Sequence, residues 1–249
     1  MDDGMQYTTV GHRGMAICNP IGSDQLDEVI ELLAPTLARN GRAIDIGCGK
    51  GELLIRLAER SGCAGLGIDP NPEFIAEARA AAEKRVPGLI QFVEGKAEGH
   101  VPSPGSYDVS AVVGATHAYG GTQGTLAALV RTTRPGGYVV LGDGFWRRPP
   151  DDAYLEELGA TRDELGPLSD LVLGVESAGL EPLQVVVARD ADWDRYTWTH
   201  LRNLEAHARN HPDDPQAARL WARRKAGRNG YLRAGRDVMG FALIAAKRA

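Results

Sequence analysis

Apolar residues in this chain fall into short runs that alternate with stretches of helical spacing. Leu26, Val29, Ile30, Leu33 and Leu37 recur at intervals of three and four, which predicts a helix from about Asp24 to Ala38 with Ser23 as its N-cap. Ala43 to Ile46 reads as a strand, followed by glycines and a second helix over Glu52 to Glu59. Ala64 to Ile68 reads as the next strand, and Asn71-Pro72 as a cap and first-turn proline for a helix reaching about Arg85. Further strands are expected over Leu89–Val93, Tyr107–Val113, Tyr138–Leu141, Leu183–Ala188 and Gly240–Ala246. A helix should begin near Gly121 or Thr122. Arg134-Pro135-Gly136-Gly137 reads as a tight turn into the fifth strand. Strand and helix in alternation predict an α/β fold, a mainly parallel sheet with helices on both faces.

Two segments depart from the alternation. Residues Arg147 to about Arg162 are rich in proline and acidic side chains. Residues 190–236 lie between the sixth and last strands and carry two helical patterns, one with Trp193, Tyr196, His200 and Leu204, the other with Leu220 and Trp221. Aromatic stripes are usually packing, and that reading is favoured for most of them. The sharper reading is a lid over a substrate site. The segment is too short for a large core of its own, so 1–249 is read as one domain with a helical, lid-like insertion at 190–236.

Composition narrows the functional classes. With 249 residues and 43% hydrophobic content, the chain can bury one sizeable core. A formal charge of -5 argues against a dedicated nucleic-acid binder. Arg219, Arg223, Arg224, Lys225, Arg228, Arg233 and Arg236, with no acidic residue from Gln216 to Arg236, carry the opposite case for RNA. A solvated helix face paired with acidic segments explains them more simply. Cys18, Cys48 and Cys63 fit no metal-ligand spacing and point to a reducing compartment. Met1 to Val10 has no basic or apolar leader pattern, and no apolar run is long enough to span a membrane. A cytoplasmic protein without bound metal is expected, its oligomeric state open.

The candidate chemistry begins at Asp45-Ile46-Gly47-Cys48-Gly49-Lys50-Gly51, between the first strand and the second helix. Glycines let the backbone turn sharply and approach a ligand, and the unpaired N–H groups of the helix start face it. Leu66-Gly67-Ile68-Asp69 then brings a carboxylate to the end of the second strand, placed to accept ribose hydroxyls. The nicotinamide fingerprint fits poorly, because Glu52 stands where its third glycine belongs.

An acidic residue followed by Gly-x-Gly-x-Gly, matched by Asp45, Gly47, Gly49 and Gly51, resembles the first motif of the class I S-adenosylmethionine (SAM) dependent methyltransferases. The resemblance implies a Rossmann-like sheet of seven strands ordered 3-2-1-4-5-7-6, with strand 7 antiparallel. It implies SAM as cofactor, with S-adenosylhomocysteine (SAH) as product, held by Asp45, Gly47, Cys48, Gly49, Gly51, Asp69, Pro70, Lys96, Ala97 and Gly114. Asp45 would either brace the glycine turn or receive the methionine amino group. Lys96 replaces the acidic residue of the family's third motif, leaving Glu94 as the nearest acidic alternative. Asn19-Pro20, Gly114-Ala115-Thr116, Gly142 to Trp146 and Trp193 to Tyr196 look like a bacterial subgroup whose substrates are mostly unassigned.

Strand 4 ends in Gly114 to Gly121, where the family's methyl group is met. The Asn/Asp-Pro-Pro-aromatic motif of amino-methyltransferases and the Pro-Cys nucleophile of cytosine-C5 enzymes are both missing here. His117 is therefore the candidate general base, its ordinary pKa being near neutrality. A histidine that orients substrate or packs beside the cofactor is the competing reading. Tyr119, Trp146 and His12 are candidate substrate-binding residues. For His12 a mobile surface loop is the simpler reading. Together these residues imply methyl transfer to the O, N, S or C atom of a small molecule. An RNA methyltransferase and a non-catalytic SAM-binding protein are the alternatives.

Overall fold

The computed structural model describes residues 3–37, 40–100 and 102–249. In chain order the main elements are α1 (Asp3–Gly11), α2 (Ser23–Leu33), β1 (Arg42–Ile46), α3 (Glu52–Ser61), β2 (Ala64–Asp69), α4 (Pro72–Arg85), β3 (Ile90–Glu94) and β4 (Tyr107–Val113). They continue with α5 (Thr122–Thr132), β5 (Thr133–Trp146), α6 (Asp152–Leu158), α7 (Leu168–Ser177), β6 (Leu180–Val187), α8 (Asp190–Asn210), α9 (Pro215–Gly230) and β7 (Met239–Arg248). Seven strands form one sheet in the order β3-β2-β1-β4-β5-β7-β6. The first five pair in parallel, and β7 runs antiparallel to both β5 and β6.

Both faces of the sheet are buried, which is why the central strands are apolar almost throughout. Side chains alternate across β7: Leu243 and Ala245 join the core made with α2, α3 and α4, while Ala242, Ile244 and Ala246 join the core made with α5 and α7. The carboxyl ends of β1, β2 and β4 therefore come together at one edge, between the two helical layers.

Several boundaries differ from the sequence pattern. Gly22, not Ser23, precedes the first turn of α2, and its N–H donates to the Gln25 side chain at 3.2 Å. That helix stops at Leu33 and tightens over Ala34–Thr36, because Pro35 cannot continue the α-helical ladder. The expected end at Ala38 lies outside the described residues. Asn71 does cap α4, accepting from the N–H groups of Glu73 and Phe74. Arg134 to Gly137 is a bulge inside β5 rather than a turn before it. Tyr107 and Val109 pair with Thr133 and Tyr138, and Gly136 takes a φ of +72° in the surplus between them. The strand runs on to Trp146, since β7 offers partners as far as Met239.

Helices α1, α6 and α7 were not expected. The insertion is two helices, as its spacing predicted, followed by a π-helical turn at Tyr231–Gly235. No helix among the described residues is long and apolar enough to cross a membrane.

Candidate active site

The turn after β1 is built by backbone that only glycine adopts readily. Gly47, Gly49 and Gly51 hold φ values of +73°, +55° and +75°. A Cβ on Gly47 would collide with Ala115, and one on Gly51 with the Phe92 ring, so both also serve close packing. The turn hangs on the end of β2: the N–H groups of Gly47 and Cys48 donate to the Ile68 carbonyl at 2.8 and 3.0 Å. Asp69 accepts from the Gly49 N–H at 2.8 Å and from the Asn71 N–H at 2.9 Å. It is thus Asp69, not Asp45, that braces the turn.

Asp45 is buried at 3% exposure, and its Oδ1 has no hydrogen-bond partner. Burial, with Asp69 nearby, pushes its carboxyl well above the usual carboxylate range. Burial also raises Asp69, more than the two backbone N–H groups and the neighbouring His117 lower it. A buried carboxylate oxygen without a donor is costly in the free protein. It is a ready acceptor for a ligand ammonium group. The residues therefore fit the cofactor that the glycine motif implies.

The roof of the site comes from the two ends of the chain. Lys50, in the glycine turn, is buried, pairs with Glu77 at 2.7 Å and donates to the His12 carbonyl at 2.9 Å. Asn71 donates to the Thr9 hydroxyl at 2.7 Å, and Asn203 of α8 donates to the carbonyls of Gly11 and Arg13. The segment after α1 is thereby tied to the cofactor loops and to α8; His12 is no surface-loop residue. Its ring is buried, with Nδ1 2.8 Å from the Thr8 carbonyl and Nε2 3.0 Å from the Tyr196 hydroxyl. Burial lowers the His12 pKa more than the Thr8 carbonyl raises it, and Lys50 lowers it further. His200, packed against Gly11 and Tyr7, is pushed down to about 3, first by burial and then by His12 and Arg224.

These groups line a partly open cleft of about 700 Å³ at the carboxyl edge of the sheet, a volume in the usual range for small-ligand sites. Asp45, Gly47, Cys48, Gly49, Asp69, Pro70, Lys96, Ala97, Gly114, His117 and His12 all line it. Gly51, Tyr119 and Trp146 do not. Gly51 faces Phe92 as described. Tyr119 packs against the core beside α5, and burial raises its phenol. The Trp146 indole is buried with Tyr154, Leu155 and Val238 and donates to the Arg162 carbonyl at 3.0 Å. Trp146 lies four residues past Gly142, the last β5 partner of β4, and α6 packs against its ring there. The acidic side chain at the cleft beside Lys96 is Glu98, not Glu94.

Lys50, Cys18, Thr8 and Phe74 also line the cleft, though the sequence pattern does not single them out as site residues, and so does Tyr196, for which packing and a lid are both open in the sequence. Asn19 entered only through the family resemblance; it lies against Gly114, and its amide donates to the Val113 carbonyl at 3.5 Å. The spacing of Tyr196 announced a helix face but not which way that face would look.

Comparison with known proteins agrees with this geometry. Residues 43–137, from β1 into the β5 bulge, match a family described as a methyltransferase domain. The uncharacterized protein YjhP of Escherichia coli K12 is 34% identical over 215 residues, covering 82% of this chain and 84% of its own length. A SAM-dependent methyltransferase from Geobacter sulfurreducens, crystallised with SAH, superposes with a TM-score of 0.90 at 29% identity over 98% of both chains. A second, from Thiobacillus denitrificans and also with SAH, gives 0.88 at 27% identity over 97% of both. With the sheet order, the glycine turn and these likenesses in agreement, the chain belongs to the class I SAM-dependent methyltransferases.

Proposed function

We propose that this methyltransferase acts on a small-molecule acceptor, at an O, N, S or C atom, inside the cleft between the strand ends and the roof of α1 and α8. The observation that carries the reading is the partial cover over the cleft: the same helices that overlie the glycine turn leave about 700 Å³ for cofactor and acceptor together. Bound SAM supplies an electrophilic methyl group. Asp45 Oδ1 takes the cofactor's amino group, which removes the orphaned buried oxygen. Asp69 has lone pairs left for ribose hydroxyls after serving two N–H groups. Pro70, Lys96 and Ala97 line the cleft, and would border the adenosine there.

His117 sits exposed on the short turn after β4 and faces the cleft. For a hydroxyl acceptor it takes the proton during attack; for an amine or thiolate, alignment alone is sufficient and it orients the acceptor. RNA is disfavoured because much of the basic run, though at the surface, already has partners within the chain. Arg223 lies over the Tyr7 ring, Arg224 donates to the Thr197 carbonyl, Arg233 meets Asp151 and Glu157, and Arg236 meets Asp190 and Asp194. The lid reading of residues 190–236 is supported by Tyr196, which lines the cleft from α8.

The test is incubation with methyl-labelled SAM and, in parallel, a bacterial metabolite extract or total RNA. Label in a small product, with SAH released, is the expected result. Label confined to RNA would replace this reading, and SAH binding without any transfer would make the protein a non-catalytic binder.

A further inference from the structure

The roof of the cleft contains a polar pair whose hydrogen-bond direction is determined by its surroundings. His12 Nδ1 lies 2.8 Å from the Thr8 carbonyl oxygen. A carbonyl can only accept, so Nδ1 carries the ring proton. In the neutral imidazole that leaves Nε2 with a lone pair, 3.0 Å from the Tyr196 hydroxyl. The hydroxyl must then donate to Nε2. The ring cannot easily turn to another arrangement: Phe74 and His200 meet it edge-on, at centroid distances of 5.9 and 5.0 Å. Burial lowers the ring's pKa more than the Thr8 and Cys18 carbonyls raise it, and Lys50 lowers it further, which favours the neutral form.

A tyrosine hydroxyl has one proton and two lone pairs. Here the proton is committed. Among the described residues the hydroxyl has no other partner, and both Tyr196 and His12 line the cleft. The oxygen therefore presents only acceptor capacity to whatever enters beneath it. A ligand oxygen without a proton would face lone pair against lone pair, whereas a ligand O–H or N–H would complete the group. Burying a polar atom without its partner is costly, so such a contact discriminates as well as binds.

We infer that Tyr196, held in orientation by His12, forms a hydrogen-bond-accepting subsite that selects methyl acceptors carrying an O–H or N–H donor. Tyr196 touches the acceptor; His12 is a positioning residue acting through it. The inference rests on the small-molecule reading of the cleft, and narrows the acceptor class to donor-bearing molecules, against ethers, esters and fully substituted amines.

The experiment uses the full-length protein saturated with SAH and two probe pairs that differ only by a methyl on the heteroatom: phenol with anisole, and indole with N-methylindole. Dissociation constants are read by ligand-observed NMR, and SAH affinity by calorimetry on the same samples. Wild type should bind the donor-bearing member of each pair about 3- to 10-fold more tightly, the worth of one hydrogen bond. Tyr196→Phe should abolish the preference. His12→Phe frees the hydroxyl proton to donate to the anisole oxygen and should erase the preference for phenol while keeping that for indole, since N-methylindole offers no acceptor on its nitrogen. His12→Gln, which keeps an acceptor for the hydroxyl, should retain both preferences. Loss of one preference with retention of the other is a result that loosened packing alone would not produce. No preference in wild type, absence of probe binding, or a preference that survives in Tyr196→Phe would overturn the inference. So would a loss of SAH affinity in Tyr196→Phe as large as that in Asp45→Asn, since Tyr196 would then be reading the cofactor. Failure of SAH to bind wild type would instead remove the cofactor reading beneath it.

Discussion

At the scale of single residues, the roles proposed for Asp45 and His117 are separable by substitution. Asp45 is a buried carboxyl whose pKa burial raises, so the folded state binds its proton more tightly than the unfolded chain does. Its contribution to stability is fully present below the unfolded-state pKa and is lost as pH rises through the folded-state value. At neutral pH the ligand-free protein therefore bears a cost at this position that, on the proposed reading, the cofactor's ammonium would relieve. Asp45→Asn should raise the melting temperature of ligand-free protein and weaken SAH binding about 10- to 100-fold, the loss of a charge-assisted hydrogen bond. Parallel calorimetry and thermal melts check both directions; a variant less stable than wild type with unchanged SAH affinity would contradict the assignment. His117, by contrast, lies beyond the glycine turn. For a hydroxyl acceptor, His117→Ala should reduce single-turnover methyl transfer by about 10²–10⁴ with little change in SAH affinity. A pH-rate profile shared by variant and wild type would leave His117 an orienting group.

At the scale of elements, the question is how α1 and α8 stay together over the cleft. Their contact is tight: a Cβ on Gly11 would overlap the His200 ring. It is also acid-sensitive, because His200 is held near 3 against an ordinary value of 6.5. A histidine with a depressed folded pKa stabilises the fold above its unfolded value, and that stability is lost progressively as pH falls from about 6.5 toward 3. His12 lies beside it, with its own pKa lowered, and Arg224 faces both. Hydrogen exchange of α1, corrected for intrinsic rates, should thus accelerate between pH 7.5 and 5 in wild type. The pH sensitivity should shrink in His200→Phe, which keeps a ring against Gly11 but cannot titrate. Equal pH sensitivity in the two proteins would locate the acid-labile contact elsewhere.

At the scale of the whole molecule, the cofactor loops and the roof are one mechanical unit. Lys50 and Asn71 both reach from cofactor-side turns to the segment around α1, so a ligand that orders the turns also orders the roof. Binding to the folded state alone at 100 times Kd contributes about 2.7 kcal/mol. For a chain of this size SAH should then raise the melting temperature by about 5–11 °C. NAD at equal concentration should not, since Glu52 occupies the place of the third glycine in its fingerprint. A shift with NAD and none with SAH would reverse the cofactor assignment. Total RNA should produce no shift and no methylated product at physiological salt, where phosphate contacts by a few exposed arginines are weak.

What the sequence determined by itself is local in origin. Short apolar runs and turn signals located all seven strands, and helical spacing and caps the helices α2 to α5, α8 and α9, because burial of one helix face or both sheet faces leaves a mark within a few residues. The glycine turn was equally legible: positive φ and close approach to Ala115 and Phe92 exclude other residues at fixed positions. The sheet order came with the family resemblance, not from the pattern. Tertiary structure alone decided the rest. Trp146 and Tyr196 are both aromatic residues in regular elements, yet one is turned into the α6 packing and the other into the cleft, a matter of element orientation that spacing does not encode. The same holds for the bracing of the turn by Asp69 and for the orphaned oxygen of Asp45, since the strand ends that carry them meet only across the sheet. His12 shows the principle most plainly. Its neighbours in sequence are glycine, arginine and polar residues, but 184 positions separate it from the Tyr196 hydroxyl that it orients, and only the docking of α8 over α1 brings the two together.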